Sequence, residues 1–135
     1  MKILIAEDDA VSSKVLECFL APLGACECVK NGKLAIDAVR RALAEDKPYD
    51  LICLDIMMPE VDGQGALTMI RALEANHDKM LGEGAKILMT TALGDSKNVL
   101  SAFKENCDGY MVKPIDKAKL MTKLKDLGLP LPGIP

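Results

Sequence analysis

Short apolar runs alternate along this chain with longer stretches whose apolar residues recur every three or four positions. Lys2–Ala6, apolar after its first residue, reads as a strand. Val11, Val15, Phe19, Leu20 and Leu23 then recur at helical spacing as far as Gly24, with Asp9 or Ser12 placed to cap that helix. Cys26–Val29 predicts a second strand and Asn31-Gly32 a turn. Ala35, Ile36, Val39 and Leu43 mark a second helix that ends before Lys47-Pro48. A third strand, Leu51–Leu54, is followed by Asp62 as the N-cap of a third helix with Leu67, Ile70 and Leu73 inward. His77–Lys79, Gly82 and Gly84 break that helix before the fourth strand, Lys86–Thr90. Asp95 or Ser96 caps a fourth helix carrying Val99, Leu100 and Phe103. Gly109–Val112 is the fifth strand, and Ile115, Leu120, Leu124 and Leu127 face inward on a fifth helix that Gly128 stops.

Strict strand–helix alternation predicts an α/β fold, a parallel sheet with helices on both faces. The runs ILIA, LICL and ILM are unbroken, as strands buried on both faces must be. Sheets of this kind bind ligands outside the carboxyl ends of their strands, so the residues just after each strand are where chemistry is expected.

Composition narrows the classes. A chain of 135 residues, half of them hydrophobic and 27% charged, has the make-up of one globular domain, here residues 1–128. The tail LPLPGIP, 129–135, holds three prolines and cannot extend the helix; it either caps the fold or lies loose. A net charge of −3 gives no basic footprint for nucleic acid. The opening MKILIAEDD reaches acids too soon for a secretory leader, and no apolar run approaches the ~20 residues that span a bilayer. A cytoplasmic protein is the expectation. Five scattered cysteines, an odd number in apolar contexts, read as reduced and mostly buried thiols. His77, the only histidine, is remote from the acids.

At the predicted strand ends stand Glu7 and Asp8 with Asp9 behind them, then Asp55, then Thr90 and Thr91, then Lys113-Pro114. In a parallel sheet these converge on one edge. Carboxylates held so close repel each other unless a cation joins them. An all-oxygen set suits a hard divalent ion, and magnesium takes one or two carboxylates, several waters and phosphate oxygens. A lysine and a hydroxyl beside them would balance an oxyanion. These are the parts needed to form an acyl phosphate on an aspartate.

The segments ILIAEDD, LICLDIMMPEVDG, ILMTTAL and GYMVKPI together resemble the four signature segments of response-regulator receiver domains of two-component systems, in the family's order and across essentially the whole chain. The resemblance implies a flavodoxin-like doubly wound sandwich, a five-stranded parallel sheet of order 2-1-3-4-5 with five helices. It implies a stand-alone, chemotaxis-regulator-like receiver, since 135 residues leave no room for an output domain. Asp55 would be the phosphoacceptor. Asp8 would bind Mg2+ directly with Asp55, Met57 through its backbone carbonyl and Glu7 through water. Thr91 would be the switch hydroxyl, Lys113 the phosphate-binding lysine, Tyr110 the aromatic switch residue, and Lys113-Pro114 a cis bond. The partners implied are a histidine kinase or histidine phosphotransfer protein as donor, and a downstream protein reading the face of the fourth helix, fifth strand and fifth helix.

Two features depart from the usual pattern. The acidic pair is Glu-Asp where two aspartates are common, which leaves Asp9 as an extra acid or an alternative ligand. The stretch NHDKMLGEG before the fourth strand is long for a compact receiver. Simpler roles are expected beside these: Asp9 as a helix cap, Thr90 as a core residue, the lysines of the last helix as a solvated face, and Met57 and Met58 as space-filling. The apolar pair Met57 and Leu93 is expected to flank the path of hydrolytic water and to slow loss of the phosphate. A phosphorelay shuttle is an alternative to a motor or kinase regulator. A metal-dependent phosphohydrolase would want an acid/base two residues after its nucleophile, where Met57 stands. A flavodoxin would need a Ser/Thr/Gly-rich loop where EDD stands, and a receiver-like scaffold usually lacks one of the acids or the lysine. The expected protein is thus a phosphoacceptor signalling domain and not an enzyme in the ordinary sense.

Overall fold

A computed structural model describes residues 1–58, 61–77, 84–92 and 107–131. The strands are β1 (Lys2–Ala6), β2 (Ala25–Val29), β3 (Leu51–Asp55), β4 (Lys86–Thr91) and β5 (Gly109–Val112). They pair in parallel in the order β2-β1-β3-β4-β5. The helices among the described residues are α1 (Ala10–Leu20), α2 (Gly32–Ala44), α3 (Gly63–Asn76) and α4 (Lys117–Asp126). The helix expected to carry Val99, Leu100 and Phe103 lies outside the described residues, as does Leu93.

Side chains alternate across each strand, so the apolar runs feed two cores. Leu4, Ala6, Ile52, Leu54, Ile87 and Met89 meet Ala35, Val39, Leu67 and Ile70 of α2 and α3. Ile3, Ile5, Leu51, Cys53 and Leu88 meet Leu16 and Leu20 of α1 and Leu120 and Leu124 of α4. Burying a side chain of this size stabilises by roughly 1.5–3 kcal/mol each, which explains why β3 carries no polar residue before Asp55.

Each of these four helices starts on a side-chain cap. Asp9, Asn31, Asp62 and Asp116 accept the backbone N–H groups of Ser12, Leu34, Gly65 and Lys119. Asn31-Gly32, expected as a turn, is thus the start of α2. The sheet order, the strand ends and the cap at Asp62 agree with the sequence reading.

Two expectations are corrected. The apolar stripe of α1 is turned: Val11 is 72% exposed and Val15 partly so, while Leu16 and Leu20 are buried. At 3.6 residues per turn Val11 falls on the other side of the helix from the Leu16/Leu20 face. The five thiols are free, but only Cys53 is buried; Cys18 and Cys28 are exposed and Cys26 and Cys107 intermediate. β2 is an edge strand and α1 covers it incompletely.

The sequence reading missed a part-buried ion network at the opposite edge of the sheet. Arg71 pairs with Glu74 at 2.6 Å and Asp108 at 3.0 Å. Glu74 and Asp108 in turn accept the Ala85 and Ile87 N–H groups at 2.8 Å each, which pins the start of β4. Of the tail, Leu129 and Leu131 pack against the α1/α4 core.

Candidate phosphoacceptor and metal site

Because all five strands are parallel, their carboxyl ends form one rim. Glu7 and Asp8 leave β1 there, Asp55 is the last residue of β3, Thr91 ends β4, and Lys113 follows β5. The registers Asp55↔Thr90 and Thr91↔Val112 hold the central strands level. Ladder contacts continue past them: Ile56 N–H reaches Thr90 O at 3.0 Å, and Lys113 N–H reaches Thr91 O at 2.7 Å.

One oxygen each of Glu7, Asp8 and Asp55 lies within 4.8 Å of the others. Glu7 is 2% and Asp55 4% exposed, whereas Asp8 faces solvent. A cavity of about 320 Å³ runs from Glu7 and Asp8 past Ser13 and Glu17 to Cys28, so the rim is open on the α1 side. Lys113 Nζ sits between the buried acids, 2.7 Å from Glu7 Oε2 and 3.3 Å from Asp55 Oδ2. Shielded from solvent, Glu7 Oε2 meets that ammonium as an ion pair and has no hydrogen-bond partner in standard geometry. Glu7 Oε1 accepts the Asp9 N–H at 3.1 Å, and Asp55 Oδ1 accepts the Met57 N–H at 3.3 Å.

Burial, then the charge of Glu7, pushes the Asp55 carboxyl up to about 6, with Lys113 pulling the other way. For Lys113, burial works to lower the pKa, but pairing with Glu7 and Asp55 outweighs it and the net shift is upward. The rim therefore holds more negative charge than its one lysine offsets. An all-oxygen donor set with one open side and surplus negative charge fits a hard divalent cation such as Mg2+.

Asp9 is not part of this cluster. Its carboxylate takes the Ser12 N–H at 3.1 Å and the Ser12 hydroxyl at 2.6 Å, and those bonds lower its pKa. Of the two expected uses for Asp9, the cap is the one observed. Thr90 is a buried core residue, as expected. Thr91 is buried with its hydroxyl donating to Ala92 O at a long 3.4 Å. Tyr110 is 44% exposed and lines a groove of about 550 Å³ with Val112, Pro114, Lys119 and Lys123. Met57 is 66% exposed and Met58 buried, so only the second fills space. Lys113-Pro114 is cis. His77 caps α3 and takes no part in the acidic cluster.

Two features escaped the sequence reading. The Glu7–Lys113 pair is one, and neither residue alone signals it. Gly63 is the other: a Cβ there would run into the Asp55 carbonyl oxygen and lie 2.7 Å from Ile56 Cα. Its signal was the glycine that closes LICLDIMMPEVDG.

With this geometry in view, the relatives are informative. Residues 3–125 match the family of response regulator receiver domains, and the chain belongs to that family. It is a receiver domain of two-component systems, a phosphoacceptor signalling unit. Over 93% of its length it is 31% identical to part of the osmosensing histidine protein kinase SLN1 of Saccharomyces cerevisiae, covering 10% of that protein. Over 94% it is 34% identical to the transcriptional regulatory protein CusR of Escherichia coli, covering 51%. The chain thus spans about half or less of the curated relatives it matches. Among solved structures, it resembles the receiver domain of a sensor histidine kinase from Pseudomonas aeruginosa, which holds a magnesium ion in its active-site cleft. The TM-score is 0.75 at 27% identity, covering 94% of this chain and 97% of that one. A Francisella response-regulator receiver domain aligns with a TM-score of 0.70 at 25% identity, over 93% and 94% of the two chains.

Proposed function

We propose that Asp55 accepts a phosphoryl group from a phosphohistidine of a histidine kinase or phosphotransfer protein, and that the modified domain is then read by a protein partner. The observation that carries this reading is the gathering of Glu7, Asp8 and Asp55 within 4.8 Å, with Lys113 3.3 Å from Asp55 Oδ2. Asp8 and Asp55 would hold Mg2+ directly, with the Met57 carbonyl and, through water, Glu7. When bound, that ion supplies positive charge to the oxygens of the transferring group.

The chain's own residues do the rest. β3 holds the Asp55 carboxylate at the rim, where one oxygen attacks phosphorus in line as the phosphorus–nitrogen bond of the donor breaks. The electron pair of that bond leaves with the imidazole. Lys113 follows the charge onto the phosphoryl oxygens, and the Thr91 hydroxyl turns toward them as a donor. Tyr110, exposed beforehand, enters the space Thr91 vacates, and the groove beside Val112, Lys119 and Lys123 changes for the partner. Residues 1–128 form the receiver and 129–135 its tail, in a cytoplasmic setting and with a chemotaxis-like output.

A phosphorelay shuttle is the second reading. The likeness to part of a yeast histidine kinase and to the receiver domain of a Pseudomonas one supports it.

Incubation with acetyl phosphate, with and without Mg2+, tests the central claim. Intact mass should gain one phosphate only with the metal, and peptide mapping should place it on Asp55. Labelling elsewhere, or none with Asp55 intact, would overturn it.

A further inference from the structure

Lys113 is nearer Glu7 than the residue it is meant to serve. Its Nζ lies 2.7 Å from Glu7 Oε2 and 3.3 Å from Asp55 Oδ2. Both oxygens of Glu7 are engaged: Oε1 holds the Asp9 N–H at 3.1 Å, and Oε2 is sealed from solvent against the ammonium. A carboxylate this buried requires a counter-charge, because burial strips its hydration and only an opposite charge replaces it. Glutamate has one methylene more than aspartate. Here that reach carries its oxygen from the end of β1 to the lysine beyond β5, across the position of Asp55.

A divalent cation held by Asp8 and Asp55 would also draw on Glu7. With Oε1 holding the Asp9 N–H, Oε2 is the oxygen left to reach a water of the cation's shell, and the ammonium at 2.7 Å competes with that water for it while the two positive charges repel. We infer that the Glu7–Lys113 ion pair is an internal lock on the cation site: cation binding takes Glu7 from Lys113 and frees the ammonium for Asp55 and its phosphoryl group. Glu7 is then a positioning residue for Lys113 as well as part of the acidic cluster. The inference rests on the proposed metal assignment. It adds that cation affinity and lysine position are two readings of one exchange.

A double-mutant cycle on cation affinity tests this, with Mn2+ as the probe and free ion measured by electron paramagnetic resonance. Removing Lys113 relieves charge repulsion in any case, so Lys113→Met alone does not discriminate. The cycle compares that change in the wild-type background and with Glu7→Gln, and circular dichroism melts confirm folding. Lys113→Gln serves as a second replacement. If the lock exists, losing Lys113 tightens Mn2+ binding at least about threefold more when Glu7 is present than after Glu7→Gln, the size of coupling expected between groups in contact. Equal gains in both backgrounds would overturn the lock and leave the metal assignment standing. Binding that is absent, or indifferent to Asp8→Asn, would overturn the assignment and the lock with it.

Discussion

Asp55 is where the competing demands on single residues are clearest. A carboxyl whose folded pKa, about 6, lies above its ordinary 3.8 favours folding below about pH 3.8 and loses that contribution as pH rises through about 6. Near neutrality, without metal, its charge therefore works against the fold by on the order of 1–3 kcal/mol. Asp55→Asn should raise the midpoint of thermal unfolding by several degrees at pH 7 and change it little at about pH 3.5, below the ordinary carboxyl pKa; an unchanged midpoint at pH 7 would refute this account. Lys113 retains Glu7 in that variant, so no buried cation is stranded. Met57 supplies a second test at this scale. Its side chain is apolar and open to solvent beside the phosphoacceptor. Met57→Asn should shorten the lifetime of the phosphoryl group several-fold by offering water a hydrogen-bond partner, measured as decay of the phosphorylated mass. An unchanged or slower decay would contradict it.

Among the elements, the join between β3 and α3 determines how firmly Asp55 is held. Gly63 N–H donates to Ile56 O at 2.9 Å, and a Cβ on it would run into the Asp55 carbonyl. The obstructing atoms are backbone, which cannot swing aside as a flexible side chain would. Gly63→Ala should cost about 1–3 kcal/mol of stability, as overpacking does. It should also slow phosphorylation of Asp55 beyond what the lost folded fraction explains, read by melts alongside labelling rates. Wild-type values for both would show that α3 can shift freely. Gly32 makes the same kind of approach to Val61 O from α2, so the loop after β3 is pressed from two helices. At the other edge, Arg71, Glu74 and Asp108 fix where β4 begins. The rim carries surplus negative charge, whereas at the far edge Arg71 and Lys86 stand against Glu74 and Asp108.

For the molecule as a whole, the sequence by itself determined the alternation of strands and helices, and with it a parallel sheet whose strand ends carry Glu7, Asp8, Asp55, Thr91 and Lys113. Those features are local: apolar periodicity, a capping aspartate and a carboxylate at the end of a buried run are legible within a few residues. Their likeness to receiver signatures supplied the strand order and the cis proline, which pattern alone did not. Tertiary structure decided the rest. It chose Leu16 and Leu20 over Val11 as the inner face of α1 and left Cys18 and Cys28 exposed. It also gave Lys113 to Glu7 ahead of Asp55. Each of these outcomes turns on which groups from distant parts of the chain share a desolvated space, and burial and Coulomb attraction act there through distances that no local pattern encodes.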